Sequence, residues 1–317
     1  MIRWGFLGAS RIGRRAVAPA VLDCGHRLDA VAARDAARAE DFAYAFGARR
    51  HYGDYAALID DPAIDAIYNA LPNDAHLPWT LRALAAGKHV LCEKPLALNA
   101  AEVSAMLEAE AASGMRAMEA FCHIHHPQLI RLRALLDGGA IGRLLTMQAS
   151  FGNTLAEDWD FRWHASMGGG ALLDLGTYCV SLMRLLAGEP TSASALATMQ
   201  GDVDAALSGQ LDFAGAPAQF TCSFISTRTQ HLELVGTDGK ILLDWPFSTK
   251  GKETRIFHGD TAERFPAIDP YGRMVSHFAR MVAGEPGLDF GLDWSLRQAQ
   301  VLDGLALSAK ERKVVLF

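Results

Sequence analysis

At 317 residues, half of them hydrophobic and 21% charged, the chain has globular composition and enough length for two domains with their own cores. A formal net charge of −6, a pI near 6.0 and the lack of any basic run argue against nucleic acid or another polyanion as partner. The five cysteines (Cys24, Cys92, Cys122, Cys179 and Cys222) stand alone, without metal or redox spacing, and read as small buried side chains in a reducing compartment.

The chain opens on MIRWGFLGAS, which lacks a basic leader followed by an apolar run, and no uninterrupted apolar stretch approaches membrane-spanning length. A cytoplasmic location is expected, with no membrane partner. Strand-like apolar runs follow at Ile2–Leu7, Leu28–Ala32, Ala66–Leu71, His89–Cys92 and Arg116–Phe121. Ala-rich segments with helical spacing, such as RIGRRAVAPAVLD and LPWTLRALAAG, separate them. Strands alternating with helices predict a parallel sheet covered on both faces. NAAE, at Asn99–Glu102, has the form of a capping box at a helix N-terminus.

Between the first strand and the first helix lies GFLGASRIGRR. Gly8 and Gly13 take the first and third places of a G-x-G-x-x-G turn, with Ser10 in the middle place. Gly8 suits a tight turn, Gly13 lets the helix pack closely on its strand, and the helix N-terminus offers free N–H groups to a pyrophosphate. The turn as a whole, including Ala9, Ser10, Arg11 and Ile12, is therefore a candidate dinucleotide contact. The second strand ends in AVAARDAAR. An acid there would hold the ribose hydroxyls of NAD, whereas an arginine would meet the 2′-phosphate of NADP. Arg34 stands near that place and Arg38 one helical turn further on, so NADP is favoured. Asp35 keeps NAD open if the register moves by one residue.

Polar residues then gather at three successive strand ends: NALPNDAH (Asn69–His76), EKP (Glu93–Pro95) and EAFCHIHHP (Glu119–Pro127). Ligands of an open parallel sheet sit outside the carboxyl ends of its strands. Leu71, Pro72, Asn73, His76, Glu93 and Lys94 are thus candidate cofactor contacts. His123, His125 and His126 invite a metal reading, but no carboxylate or cysteine partner stands at a recognisable spacing, and no metal is expected.

After Phe121 the texture changes. A helix-like PQLIRLRALLDGG leads to strand-like stretches at Leu144–Phe151, Ser192–Gln200, Ala205–Phe213, Gln219–Ser226, His231–Gly236 and Lys240–Asp244. Close spacing and short turns favour a mostly antiparallel sheet. Helical patterns return at Gly272–Ala283 and Ser295–Ser308. The expected fold is α/β: a Rossmann-type doubly wound parallel sheet over residues 1–121, then an α+β domain with a large, mostly antiparallel open sheet over residues 122–317. Alternation in that sheet leaves Leu234 and Leu242 without an obvious partner, so that face needs covering.

The densest stretch of the second half is WDFRWHASMGGGALLDLGTYCVSLMRLLAGEP. Asp174 and Tyr178 sit four apart and share a helix face. Gly168, Gly169 and Gly170 lead into that helix and allow close backbone approach. An acid and a phenol together at a glycine-lined helix start point to catalysis.

Together these motifs resemble the glucose–fructose oxidoreductase/inositol dehydrogenase (Gfo/Idh/MocA) family over nearly the whole chain. Tyr178 is similar to the branch that carries Tyr where many members carry His, which includes glucose–fructose oxidoreductase, dimeric dihydrodiol dehydrogenase and NADP-linked xylose dehydrogenases. The GAS turn is also similar to that of the 1,5-anhydrofructose reductases. HIHH departs from the branch, which commonly has an aromatic–arginine–aromatic sequence before His-Pro, and this leaves the substrate open. The resemblance implies that Lys94 reaches the reacting oxygen, that the Lys94–Pro95 peptide is cis, that Glu93 shapes the pocket and that the sheets of two copies pair face to face. A homodimer is expected, with a tetramer as the larger alternative.

The implied reaction is reversible hydride transfer between a nicotinamide and a carbinol or carbonyl carbon of a sugar-like substrate, the protein supplying orientation and proton transfer. Tyr178 is the leading acid/base. A phenol ordinarily titrates near pH ~10, and a Lys94 ammonium nearby would stabilise the phenolate. Lys94 would also stabilise charge developing on the substrate oxygen, or itself handle the proton while Tyr178 orients the substrate. Asp174 would bind a neighbouring hydroxyl or hold Lys94, and His123, Arg162 and Trp163 would wall the substrate pocket. Beside an aldose dehydrogenase stand a keto-sugar or anhydro-sugar reductase and a non-catalytic sensor of NADP redox state. An enzyme on nucleotide sugars would need a larger anion-binding pocket than the sequence shows.

Overall fold

The computed structural model describes residues 1–156, 159–287 and 289–317. It divides into two compact units, Met1–Cys122 with Tyr271–Leu296, and His123–Pro270 with Arg297–Phe317.

The first unit is built on six strands: β1 (Arg3–Leu7), β2 (Arg27–Ala32), β3 (Arg50–Tyr52), β4 (Ala66–Asn69), β5 (His89–Cys92) and β6 (Ala117–Glu119). They lie in the order β3-β2-β1-β4-β5-β6, and every pairing is parallel. This is the doubly wound order, whose direction reverses between β1 and β4. Crossovers run through α1 (Ala18–Asp23), α2 (Ala36–Phe46), α3 (Tyr55–Ile59), α4 (His76–Ala85) and α5 (Ala100–Ser113). β1 and β4 are apolar almost throughout because helices cover both faces of the sheet. β3 escapes sequence reading: it is three polar or half-exposed residues at the sheet edge.

One helix departs from a single cut after residue 121. α8 (Pro270–Val282) carries Met274, Val275 and Phe278, all fully buried in the core of the first unit, where the Phe278 ring lies 5.1 Å from Trp4. The helix lies within the 122–317 range expected for the second domain, but the surface that covers its apolar stripe belongs to β1 and its flanking helices.

The second unit holds a nine-stranded sheet in the order β14-β13-β12-β11-β7-β10-β9-β8-β15. Its strands are β7 (Leu144–Thr154), β8 (Ser192–Gln200), β9 (Val203–Asp212), β10 (Pro217–Ser223), β11 (Ile225–Gly236), β12 (Lys240–Leu243), β13 (Thr254–His258), β14 (Thr261–Phe265) and β15 (Val315–Leu316). Only β7 and β10 run parallel. One face packs Met147, Phe151, Leu207, Phe220, Leu232 and Leu234 against helices α6 (Pro127–Asp137), α7 (Thr177–Ala187) and α9 (Leu292–Glu311).

Two expectations change here. Leu234 is fully buried on the core face, so it does not need a second copy to cover it; only Leu242, half-buried, stays on the other side. That other face is polar, with Gln148, Ser208, Gln210, Gln219 and Thr221 exposed over an open groove of about 660 Å³ that none of the candidate site residues lines. The stretch Ala165–Ala187 is also long and apolar enough, by length and composition, to cross a membrane. It is the core helix of the second unit, with Leu172, Val180, Leu182 and Met183 packed on the sheet.

Candidate active site

The nucleotide turn follows β1. Gly8 adopts φ +92°, and a Cβ there would meet Leu71 Cδ2 at 3.2 Å and the Ala70 carbonyl at 3.3 Å. A side chain would fill the crevice between β1 and β4, where the strand order reverses. Ser10 takes the place of the middle glycine and uses its hydroxyl locally: Oγ accepts the Gly13 amide at 3.0 Å. A Cβ on Gly13 would stand 2.9 Å from that Oγ, so the two positions fit each other. Arg38 donates to the carbonyl of Ala9 at 3.1 Å, bringing its guanidinium back to the turn, and Arg34 is exposed beside it. Asp35 is already engaged, accepting the Ala37 amide at 3.0 Å as the N-cap of α2. These features fit a dinucleotide whose ribose side is read by arginine.

The turn after β5 is held from three sides. The Tyr68 hydroxyl donates to Glu93 Oε1 at 2.6 Å; burial and then Glu93 hold that phenol well above its ordinary range, so it keeps its proton. The Leu96 amide donates to Glu119 Oε1 at 3.0 Å. His76 sits fully buried with Nδ1 2.8 Å from the Pro95 carbonyl and Nε2 2.9 Å from the Leu71 carbonyl. Burial pushes its pKa down to about 4 against the pull of both carbonyls, so the ring is neutral and donates to one of them. His76 thus ties the NALPN loop to the EKP turn from behind, a strut rather than the direct cofactor contact expected from sequence. Asn69 adds to the strut through Nδ2, which donates to the His76 carbonyl at 3.2 Å. The Lys94–Pro95 peptide is cis, and Lys94 itself is half-buried.

Tyr178 belongs to the second unit, near the start of α7. Its ring lies 4.8 Å from His123, 5.3 Å from Phe151 and 6.0 Å from Phe247, and Phe151 stacks on Phe247 at 5.0 Å. His123 is fully buried, with Nε2 3.1 Å from Ser181 Oγ, which in turn donates to the Tyr178 carbonyl at 2.9 Å. It backs Tyr178 and its helix. Asp174 has its charge partner within the unit: Arg162 Nε lies 3.0 Å from Asp174 Oδ2, and Arg162 Nη1 lies 3.0 Å from Asp160 Oδ1. Burial opposes the guanidinium charge, but Asp174 and Asp160 outweigh it and raise its pKa. Asp174 is therefore oriented by Arg162, a residue expected in the pocket wall. Trp163 meets Phe224 edge-on at 5.5 Å as part of the core.

One residue of this constellation was not singled out from sequence. No side chain of its own caps the helix that carries Asp174 and Tyr178; Asp204, on β9, reaches across and accepts the Leu172 amide at 2.7 Å. Burial pushes Asp204 up to about 6, although backbone amides pull the other way. Gly170 has φ +110°, and a Cβ there would stand 2.1 Å from Asp204 Oδ1. The last glycine of GGG is thus the space that the cap occupies. Among the described residues no three His, Cys, Asp or Glu side chains group to hold a metal.

Residues 2–121 match the model of the oxidoreductase family with an NAD-binding Rossmann fold, and residues 129–242 match the GFO/IDH/MocA C-terminal domain. The chain is 35% identical over 292 residues to D-xylose 1-dehydrogenase (NADP(+)) 2 of Haloferax volcanii, covering 88% of each. The structure of aldose-aldose oxidoreductase from Caulobacter crescentus, complexed with glycerol, superposes with a TM-score of 0.92 at 26% identity, covering 100% of this chain and 99% of that one. KijD10, a 3-ketoreductase from Actinomadura kijaniata in complex with NADP and TDP-benzene, gives 0.90 at 31% identity, with 97% of both chains covered. The chain belongs to the Gfo/Idh/MocA family of oxidoreductases.

Proposed function

We propose that this oxidoreductase uses NADP to interconvert a carbinol and a carbonyl on a sugar or sugar-like polyol, working as an aldose dehydrogenase. The bound nicotinamide supplies the hydride chemistry. The observation that carries the reading is the EKP turn, whose Glu93 side chain is held by Tyr68 and whose backbone is fastened by His76 and Glu119, beside a half-buried Lys94 at the carboxyl end of β5. Fastening both flanks of a lysine costs conformational entropy, which suits a group that must hold a fixed direction towards a reacting oxygen. Lys94 stabilises charge developing on that oxygen, Tyr178 carries the proton, and Asp174, held by Arg162, orients a neighbouring hydroxyl. The NADP preference rests on Arg34 and Arg38 beside an Asp35 spent on capping α2.

Steady-state kinetics on a sugar panel with NADP tests the assignment. Lys94→Ala and Tyr178→Phe should each lower kcat by orders of magnitude while NADP affinity, read by fluorescence titration, stays within about twofold. Because the two residues act in one reaction, the double variant should lose little more than the worse single one. Normal turnover in both single variants removes them from the mechanism.

The Actinomadura relative, a 3-ketoreductase, supports reduction of a keto sugar as the second reading. Initial rates in both directions over matched alcohol and carbonyl pairs discriminate the two. In the same reading the chain works in the cytoplasm as a homodimer, the uncovered polar face of the nine-stranded sheet being its contact surface. Sedimentation velocity giving only a monomer would remove the dimer.

A further inference from the structure

A second polar cluster lies in the second unit beside the Tyr178 nest, and nothing in the reaction above uses it. The loop between β12 and β13 is firmly anchored. The Trp245 carbonyl accepts Gln128 Nε2 at 2.8 Å, and Gln230 Oε1 accepts the amides of Phe247 and Ser248 at 3.3 and 2.9 Å. This loop puts Phe247 against Tyr178 and, two residues earlier, turns Trp245 towards two cations. Lys252 Nζ stands 3.3 Å from the Trp245 ring centroid and Arg228 Cζ 5.2 Å from it.

A cation on an indole face is ordinary; two on one indole repel each other. Burial and then Arg228 pull the Lys252 ammonium below its usual pKa. The acids on the loop and its flanks are taken by other bases: Asp244 by Arg255 at 2.9 Å, Asp269 by Lys250 at 2.7 Å and Glu253 by Arg264 at 3.2 Å. Lys252 Nζ is shielded from solvent, and among the described residues no acceptor bonds to it. The same holds for Gln230 Nε2 and for the hydroxyls of Thr249 and Thr254, both buried residues that flank Lys252 in the chain. Two positive charges thus share the Trp245 face, and among the described residues no acceptor bonds to Lys252 Nζ.

We propose that Arg228 and Lys252, braced on Trp245, bind the phosphate group of a phosphorylated sugar whose reacting carbon lies towards Tyr178. Two uncompensated cations match a phosphate ester, with its charge of about −1.5 to −2, better than a carboxylate or a neutral hydroxyl. The loop itself supports the placement: Phe247, whose ring lies 6.0 Å from that of Tyr178, is two residues beyond Trp245. The assignment rests on the oxidoreductase reading for its substrate class.

Binding, rather than turnover, tests it. The full chain is titrated calorimetrically with glucose, glucose 6-phosphate, glucuronate and dTDP-glucose. At least one phosphate-bearing sugar should bind about tenfold or more tighter than glucose and glucuronate. A preference for glucose 6-phosphate assigns a monoester, and one for dTDP-glucose assigns a nucleotide-linked sugar. Lys252→Gln and Arg228→Gln should each remove most of that advantage, while Lys240→Gln, which breaks only an exposed pair with Glu233, should not. Arg228 is exposed, so its variant keeps the test sound even where Lys252→Gln folds poorly. Equal affinity for glucose and both phosphates, or an advantage that survives both substitutions, overturns the site. A phosphate preference without turnover on any sugar leaves this site standing and defeats the enzymatic reading instead.

Discussion

Replacing Gly170 with alanine tests the link between the GGG turn and the helix that carries Asp174 and Tyr178. An L-residue at φ +110° costs about 1–3 kcal/mol in backbone strain. The new methyl would also stand 2.1 Å from Asp204 Oδ1, so the carboxylate must leave and the Leu172 amide loses its 2.7 Å acceptor. Losing a helix cap costs about 1–2 kcal/mol. Gly170→Ala should therefore destabilise the second unit by about 2–5 kcal/mol, read from urea unfolding by near-ultraviolet circular dichroism. Asp204→Ala separates the two parts, because it surrenders the cap but clears the space. In that background Gly170→Ala should cost only the backbone part, so the double variant falls short of the sum by about 1–2 kcal/mol. Strict additivity would show that the glycine and the carboxylate do not share one volume, and the capping account would fail.

Asp204 also carries a pH signature. Its pKa of about 6 exceeds the ordinary 3.8, so the folded chain binds this proton more tightly than the unfolded chain. Its contribution is greatest at low pH and falls by about 3 kcal/mol as pH rises through 4 to 6. Asp204→Asn should remove that decline, and parallel pH–stability curves for the two proteins would contradict it. His76 has the opposite sign: with a pKa of about 4 in the fold, it supports stability above pH ~6.5 that is lost as pH falls towards 4. Its ring protons, followed by NMR, should stay in the neutral form down to about pH 5, and a midpoint above 6 would refute the buried strut. Arg34→Ala with Arg38→Ala should weaken NADP about 10- to 100-fold and NAD only slightly, the worth of lost charge-assisted hydrogen bonds. Equal losses for both dinucleotides would mean that these arginines do not read the phosphate.

What could be read from the chain follows the range of the forces involved. β1, β2, β4 and β5 are short apolar runs between helical patterns, and their burial on two faces leaves that mark on the sequence. β13 and β14, TRIFH and TAERF, have no such mark, because they lie at the edge of a sheet with one polar side. Asn99 was legible as a cap, since it accepts the Glu102 amide at 3.0 Å within its own turn. Glu102 completes only part of the box, accepting the Leu98 amide instead of that of Asn99. Asp204 was not legible as a cap, because it serves an amide 32 residues away from the start of a strand. Asp174 stood out by its spacing to Tyr178, yet its ion-pair partner Arg162 is fixed by the fold of the intervening glycines. Leu234 and Leu242 looked alike from alternation alone, and only the placement of helices on one side of the sheet separates them.

The bond from the Ala37 amide to Asp35 has a consequence for anyone wishing to retool the dinucleotide choice. Asp35 already serves the first turn of α2, so rotating it towards a ribose would unfasten the helix that bears Arg38. A redesign for the unphosphorylated dinucleotide would have to install a new acid at position 34 and leave position 35 untouched.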